Sequence, residues 1–259
     1  MEKHINIEDT YMNVISFGKG KKVFTVIAGV SLTGLEGMGE ALENLFSIFT
    51  DEYTVYVFDR KKVLKAGCST EDMADDIYIC LKSLGVEHSV IYGASQGGMI
   101  GQVLAIKYPE LVEKLVVCSS VSRVEEDNQA INLWLSAARE YDVEKVNSLF
   151  LEYVYSDEFV DSIRDSIPDL VKNGTKEDCE RFTVMVEAVK SFDVYDRLDR
   201  IQCPVFVICD KKDKVFNYES SLDIVAKLNC ESYVYDKYSH AVYDEAKDFI
   251  ERIYNFVKH

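Results

Sequence analysis

The chain has 259 residues, of which 45 are acidic and 29 are basic, so its formal net charge is −16 at pH 7. This excess of acid argues against binding to nucleic acid, which requires clustered Lys and Arg, and against docking on anionic membranes. Hydrophobic residues make up 47% of the chain, which suffices for a globular core. No stretch approaches the roughly 18 apolar residues of a membrane-spanning helix.

The cysteine and histidine contents argue against disulfide bonds and metal binding. The seven cysteines form no C-x-x-C pair, and only four histidines are present. An odd number of thiols, several inside apolar runs, is typical of a reduced cytoplasmic protein, and residues 1–9 lack the apolar segment of a secretory signal. We therefore expect a cytoplasmic protein with no metal and no cofactor. The sequence leaves the oligomeric state open, and a homodimer is one state that it allows.

The first half of the chain alternates between strand-like and helix-like patterns. Strands are predicted over residues 3–7, 11–17, 22–28, 53–58, 88–92 and 115–118. Helices are predicted over residues 35–50, 70–84 and 96–108. Short apolar strands that alternate with amphipathic helices predict a mostly parallel sheet with helices on both faces.

After residue 122 the strand pattern stops and resumes only near residue 204. The intervening segment contains predicted helices over residues 132–141, 143–155, 157–171 and 176–192. The pattern then continues with a strand at 204–209, a helix at 218–228, a strand at 232–235 and a final helix at 243–257. The sequence therefore predicts an α/β core of residues 1–122 and 201–259, with a sheet of about eight strands. A helical cap of residues 123–200 is inserted into it.

The strongest functional signal is the segment Gly93-Ala94-Ser95-Gln96-Gly97, which lies between a predicted strand and a predicted helix. A G-x-S-x-G segment in that position is typical of a nucleophile elbow, where small neighbours let a serine occupy a sharp, strained turn. We predict that Ser95 is a nucleophile. A glycine-rich turn that binds a phosphate is the alternative interpretation of the same residues.

A serine nucleophile needs a general base, and His240 is the predicted one. His4 and His259 lie near the termini, and His88 begins a strand at the end opposite Ser95. His240 instead follows the last predicted strand, in a loop at the carboxyl edge of the sheet, where catalytic groups collect.

The base in turn needs an acid that orients it. The loop after the strand at 204–209 offers two candidates, of which Asp213 is the predicted acid and Asp210 the alternative. Acyl transfer also requires N–H donors for the developing oxyanion. We assign this role to the backbone N–H of Gln96, directly after the nucleophile, and to that of Val30 in the loop after the third strand.

These residues resemble the α/β-hydrolase superfamily, in the branch of small capped serine esterases, lactonases and carbon–carbon bond hydrolases. The resemblance spans essentially the whole chain and includes the order Ser95, Asp213, His240 along it. Two departures are visible. Ala28 stands where the oxyanion loop of the family usually has histidine, and the segment 59–62 lacks the glycine that commonly follows the fourth strand.

The resemblance implies a serine hydrolase that cleaves a small carboxylic ester, thioester or lactone through an acyl-enzyme on Ser95. Hydrolysis of a carbon–carbon bond in a diketone would use the same residues, and a ligand-binding member of the fold without turnover is a further alternative. Aromatic residues of the cap are expected to line a partly apolar pocket for a small-molecule substrate. The acidic cap argues against a polyanionic substrate.

Overall fold

The computed structural model describes residues 1–259 and contains one sheet of eight strands. The strands are β1 (Glu2–Ile7), β2 (Thr10–Phe17), β3 (Lys22–Ile27), β4 (Tyr53–Lys61), β5 (Ser89–Ala94), β6 (Val112–Cys118), β7 (Val205–Asp210) and β8 (Glu231–Tyr235). Their spatial order is β1-β2-β4-β3-β5-β6-β7-β8, and β2 pairs antiparallel with both β1 and β4. All other neighbours are parallel. The predicted fold, a mostly parallel sheet of about eight strands, is confirmed.

Eleven α-helices connect or cover these strands. They are α1 (Gly39–Leu45), α2 (Thr70–Ser83), α3 (Gln96–Lys107), α4 (Gln129–Arg139), α5 (Val143–Val154), α6 (Asp157–Ser162), α7 (Ile167–Leu170), α8 (Lys176–Lys190), α9 (Tyr218–Leu228), α10 (Val242–Glu245) and α11 (Phe249–Lys258). The cap segment, residues 123–200, contains α4 to α8 and two short 3₁₀ helices. No helix in the structure has both the length and the apolar character needed to cross a membrane.

Two hydrophobic cores lie on opposite faces of the sheet. Successive side chains of a strand point to opposite faces, so in β6 Leu115 and Val117 enter one core while Val116 and Cys118 enter the other. The first core continues from α2 and α3 into the cap segment, where it includes Trp134. The cap segment therefore packs on the sheet as part of one continuous core. The second core lies beneath α1 and α11.

The predicted helix over residues 35–50 is much shorter in the structure. Only α1 is α-helical, it buries none of its residues, and a 3₁₀ turn follows at Ser47–Phe49. Among the apolar residues that suggested an amphipathic helix, Met38 and Leu42 line a cavity, and Leu42 also packs against the second core. The apolar spacing of three and four residues therefore does not correspond to one long helix in this segment.

Two further predicted helices are each divided into two. The segment 157–171 forms α6 and α7, because Pro168 lies in the first turn of α7 and has no N–H to continue a preceding helix. The final segment forms α10 and α11, which are separated where Ala246 adopts an extended backbone.

We predict that Phe24→Ala strongly destabilises the second core. Phe24 is fully buried and stacks on Phe49 with ring centroids 4.2 Å apart. Truncation of a buried phenylalanine leaves a cavity and costs about 3–5 kcal/mol of unfolding free energy, which urea denaturation measures. Ile79→Ala is the control, since Ile79 is 50% exposed and its loss should change stability by less than about 0.5 kcal/mol. Equal losses for the two variants would contradict this packing.

Candidate active site

The loops that carry the predicted site residues all leave the same edge of the sheet. Strands β3, β5, β7 and β8 all run in the same direction, because the pairs β3–β5, β5–β6, β6–β7 and β7–β8 are parallel. Their carboxyl ends therefore meet at one edge, where ligands of α/β sheets bind. The structure places Val30, Ser95, Asp213 and His240 in the segments that follow these four strands.

Ser95 occupies a strained turn between β5 and α3. Its backbone angles are φ 53° and ψ −121°, a region that a non-glycine residue adopts only when the surroundings enforce it. A Cβ atom at Gly97 would lie 2.0 Å from the Ile27 carbonyl oxygen, and one at Gly93 would lie 2.1 Å from the Gly97 carbonyl oxygen. Only glycine at both positions allows the strand and helix to approach so closely. The geometry is that of the predicted elbow.

His240 and Asp213 contact each other, and both side chains are almost fully buried. His240 Nδ1 lies 2.8 Å from Asp213 Oδ2. The other carboxylate oxygen, Oδ1, accepts hydrogen bonds from the backbone N–H groups of Val215 and Phe216 at 2.8 and 2.9 Å. The loop thus holds the carboxylate in place, while the aromatic ring of Phe216 packs edge-on against the imidazole. With Nδ1–H donated to the carboxylate, Nε2 is the nitrogen that can accept a proton.

Asp210, the alternative acid, does not contact His240. It is fully buried, and its carboxylate accepts three backbone N–H bonds. Lys212 N donates to Oδ1 at 2.7 Å, and Lys237 N and Tyr238 N donate to Oδ2 at 3.2 and 2.8 Å. Asp210 therefore ties the end of β7 to the loop that leads to His240.

The two predicted oxyanion donors have no other hydrogen-bond partner. The backbone N–H groups of Val30 and Gln96 donate to no acceptor of the protein, although both residues are buried. A Cβ atom at Gly29 would lie 3.2 Å from Ser95 Cβ, so the loop that carries Val30 runs directly beside the nucleophile. Buried free N–H groups are rare in proteins, and these two suit an oxyanion.

Ser95 Oγ forms no hydrogen bond with His240 Nε2 or with any other group of the protein in this structure. Catalytic hydrogen bonds are often long in ligand-free enzymes and tighten only with substrate. The arrangement therefore joins His240 to Asp213 directly, while the nucleophile lies at the same sheet edge without a hydrogen bond to the base.

Sequence reasoning missed a buried polar network behind the elbow. Arg60 at the end of β4 is 2% exposed, and its Nε and Nη2 donate to the side-chain oxygen of Gln96 at 3.1 and 2.8 Å. Gln96 Nε2 donates in turn to the carbonyl oxygen of Met185 in α8 at 2.8 Å. Burial lowers the pKa of the Arg60 guanidinium to about 10. The residue after the nucleophile is thus fixed from both the core and the cap segment.

Asp59 and Arg181 complete this network with an ion pair of 2.9 Å between the Oδ1 and Nη2 atoms. Burial opposes ionisation of Asp59, but Arg181 and Arg60 outweigh it and hold the pKa of its carboxyl below the usual value. The segment 59–62 was noted in the sequence only for a missing glycine. The adjacent charges Asp59 and Arg60 at the end of the apolar strand β4 were the sequence signal that could have indicated a buried ion pair.

A cavity of about 600 Å³ lies beside the elbow, and 22 of its 29 lining residues are hydrophobic. Its lining includes Gly29 and Val30 of the oxyanion loop and Ala94, the residue before Ser95, but not Ser95 or His240 themselves. The cap segment forms part of the opposite wall, where the aromatic ring of Phe150 lines the cavity. The cavity therefore borders the residue before the nucleophile, and its mostly apolar lining suits an apolar ligand.

The cap segment is anchored to both loops of the acid and base. Ala241 N donates to Val154 O at 2.8 Å, and Lys214 Nζ donates to Asp157 Oδ1 at 2.9 Å. The junction of α5 and α6 therefore packs against the residues that hold His240 and Asp213. No group of three or more His, Cys, Asp or Glu side chains in the structure could hold a metal ion.

Comparison with known proteins identifies relatives along most of the chain. A family model described as the alpha/beta hydrolase fold matches residues 32–247. The 3-oxoadipate enol-lactonase 2 of Acinetobacter baylyi is 22% identical over 218 residues, which cover 82% of this chain and 79% of the relative. RutD of Serratia proteamaculans, provisionally assigned as a carbamate hydrolase, is 26% identical over 208 residues, covering 75% and 76%.

A solved structure shares the fold over nearly its whole length. The enol-lactonase from Burkholderia xenovorans superposes with a TM-score of 0.87 at 15% identity, covering 99% of this chain and 100% of that enzyme.

We predict that Asp210→Asn lowers stability because Asp210 positions the base loop. The amide nitrogen cannot accept a hydrogen bond, so at least one buried N–H loses its partner, which costs about 1–3 kcal/mol of unfolding free energy. Chemical denaturation measures this loss. Asp223→Asn, at an exposed residue, should change stability by less than about 0.5 kcal/mol. A fully stable Asp210→Asn protein would contradict the structural role.

Proposed function

The chain belongs to the α/β-hydrolase fold family, and on that premise we propose that it is a serine hydrolase that cleaves a small carboxylic ester or lactone. The observation that carries the proposal is the contact of 2.8 Å between His240 Nδ1 and Asp213 Oδ2 at the sheet edge that also bears the Ser95 elbow. The free N–H groups of Val30 and Gln96 support the same chemistry. The relative from Acinetobacter baylyi, whose name describes a lactonase, favours ester-type bonds.

In the proposed mechanism Ser95 Oγ attacks the substrate carbonyl carbon while His240 Nε2 accepts the hydroxyl proton. Asp213 holds the imidazole in the required tautomer and stabilises the imidazolium that forms. The carbonyl oxygen, now negatively charged, accepts hydrogen bonds from Val30 N–H and Gln96 N–H. Each such donor typically contributes about 2.7–4 kcal/mol of transition-state stabilisation.

Collapse of the tetrahedral intermediate breaks the bond to the leaving oxygen, which takes the proton from His240. The product of this half-reaction is an ester of Ser95. Water then attacks that ester with His240 as general base, and a second collapse releases the acid and restores the serine hydroxyl. With a lactone the leaving alcohol remains part of the same product molecule.

Ala28 does not prevent this mechanism. The oxyanion is stabilised by backbone N–H groups, and a side chain at position 28 acts only through the conformation of the loop. In this chain Ala28 N donates to Phe58 O at 3.3 Å, which fixes the start of the loop to β4. The buried network of Arg60 and Gln96 supports the other donor from behind.

We predict that a fluorophosphonate probe labels the protein stoichiometrically at Ser95. Labelling requires an activated serine, so Ser95→Ala should abolish it and lower the hydrolysis of short esters at least about a thousandfold. Mass spectrometry of the modified peptide and a circular dichroism spectrum of the variant provide the readout and the folding control. Absence of labelling in the folded wild-type protein would contradict catalysis and favour the ligand-binding alternative.

We predict that Asp213→Asn lowers kcat about 10²–10⁴-fold with little change in KM. The amide leaves the side-chain volume unchanged but no longer stabilises the imidazolium. Steady-state kinetics on a short ester test this, with Asp210→Asn assayed below its unfolding temperature as the matched variant. A larger loss of kcat for Asp210→Asn than for Asp213→Asn would move the orienting role to Asp210.

A separate experiment, analysis of the products formed from a diketone, distinguishes ester hydrolysis from cleavage of a carbon–carbon bond.

A further inference from the structure

The cavity beside Ser95 has hydrocarbon walls on both sides. The sheet and α11 contribute Val57, Tyr92 and Phe249, and the cap segment contributes Leu151 and Phe159. Because residues of the oxyanion loop line the cavity, a chain attached to a carbonyl held by that loop can extend into it. Apolar walls of this kind retain hydrocarbon, and the few polar groups among them decide which ligands enter.

Asp244 is the single charged residue in the lining, which contains no Lys, Arg or His. Two cations of the adjoining segments are engaged elsewhere, since Lys214 pairs with Asp157 and Arg181 pairs with Asp59, each at 2.9 Å. Because the lining itself contains no cation, a carboxylate that entered the cavity would lose hydration without contacting a counter-charge in its wall. Burial of an unpaired charge is strongly unfavourable.

Asp244 lies where the α/β core contacts the cap segment. Tyr155 Oη donates to its Oδ2 atom at 3.1 Å, and the ring of Tyr155 stacks on Phe159 with centroids 4.5 Å apart. The neighbouring Glu245 accepts a hydrogen bond of 3.0 Å from Ser156 N. Asp244 as a residue is exposed to solvent, while the protein atoms packed around its carboxyl raise the pKa of that group to about 6. At pH 8 the cavity thus contains one fixed negative charge.

We propose that this cavity accepts a neutral, apolar acyl chain and rejects an acyl chain that ends in a carboxylate, with Asp244 as the residue that sets the preference. The inference rests on the proposed function, because it names the substrate class of the same site. Two negative charges in the same cavity repel each other, whereas a terminal methyl group carries no charge and meets a mostly hydrocarbon wall. Asp244 acts here on specificity and not on the reacting atoms.

The test compares 4-nitrophenyl hexanoate with mono-4-nitrophenyl adipate at pH 8. Both acyl chains have six carbons and differ in the terminal methyl or carboxylate group. We expect kcat/KM of the wild-type protein to favour the hexanoate at least about tenfold. Asp244→Asn removes the charge but keeps an acceptor for Tyr155, so this preference should fall about tenfold. Asp165→Asn removes an exposed cap charge outside the lining and should leave the preference unchanged.

Equal kcat/KM for the two esters in the wild-type protein would overturn the inference, as would the same change in both variants. Calorimetric binding of hexanamide and adipamate to the wild-type protein separates this result from failure of the proposed function. Binding of hexanamide alone, in a protein that hydrolyses neither ester, would support the selectivity and reject the serine mechanism. Equal binding of the two amides, or no binding of hexanamide, would overturn the selectivity itself.

Discussion

The site depends on the close approach of β3 to the first turn of α3, which only glycine at position 97 permits. The Ile27 carbonyl oxygen occupies the space that a Cβ atom would need. This contact brings the loop after β3 against the elbow, so that the N–H groups of Val30 and Gln96 lie in adjoining segments beside Ser95. The positive φ of Ser95 is the local strain that the surrounding sheet and helix enforce.

Two buried aspartates, one at the end of β7 and one in the loop that follows it, form different contacts. Asp213 uses one oxygen for two backbone N–H groups and presents the other to His240. Asp210 uses both of its oxygens for backbone N–H groups and forms no hydrogen bond with an imidazole. One carboxylate therefore orients a side chain, while the other fixes the loop that carries it.

The cap segment is part of the site and not a separate covering. Helix α8 supplies the Met185 carbonyl oxygen to Gln96 and the Arg181 guanidinium to Asp59, while the end of α5 contacts the base loop through Val154. A displacement of these helices would disturb the residue after the nucleophile. The cap segment also forms part of the apolar cavity wall, so it contributes to the cavity and to the position of Gln96.

The family, the mostly parallel sheet and the elbow were all predictable from the amino-acid sequence, because each has a local signature. Alternating apolar strands and helices predicted the sheet, and the segment from Gly93 to Gly97 around Ser95 predicted the strained turn. The family is confirmed, because the family model of the alpha/beta hydrolase fold matches residues 32–247. The roles of Ser95, Asp213 and His240 stay predictions until they are tested.

The tertiary structure was needed to distinguish Asp213 from Asp210, because the sequence shows two nearby acids but not the direction of their oxygens. It alone revealed the pairing of Arg60 with Gln96 and the position of Asp244 in an apolar wall, because these contacts join residues that are far apart in the chain and leave no periodic pattern in it.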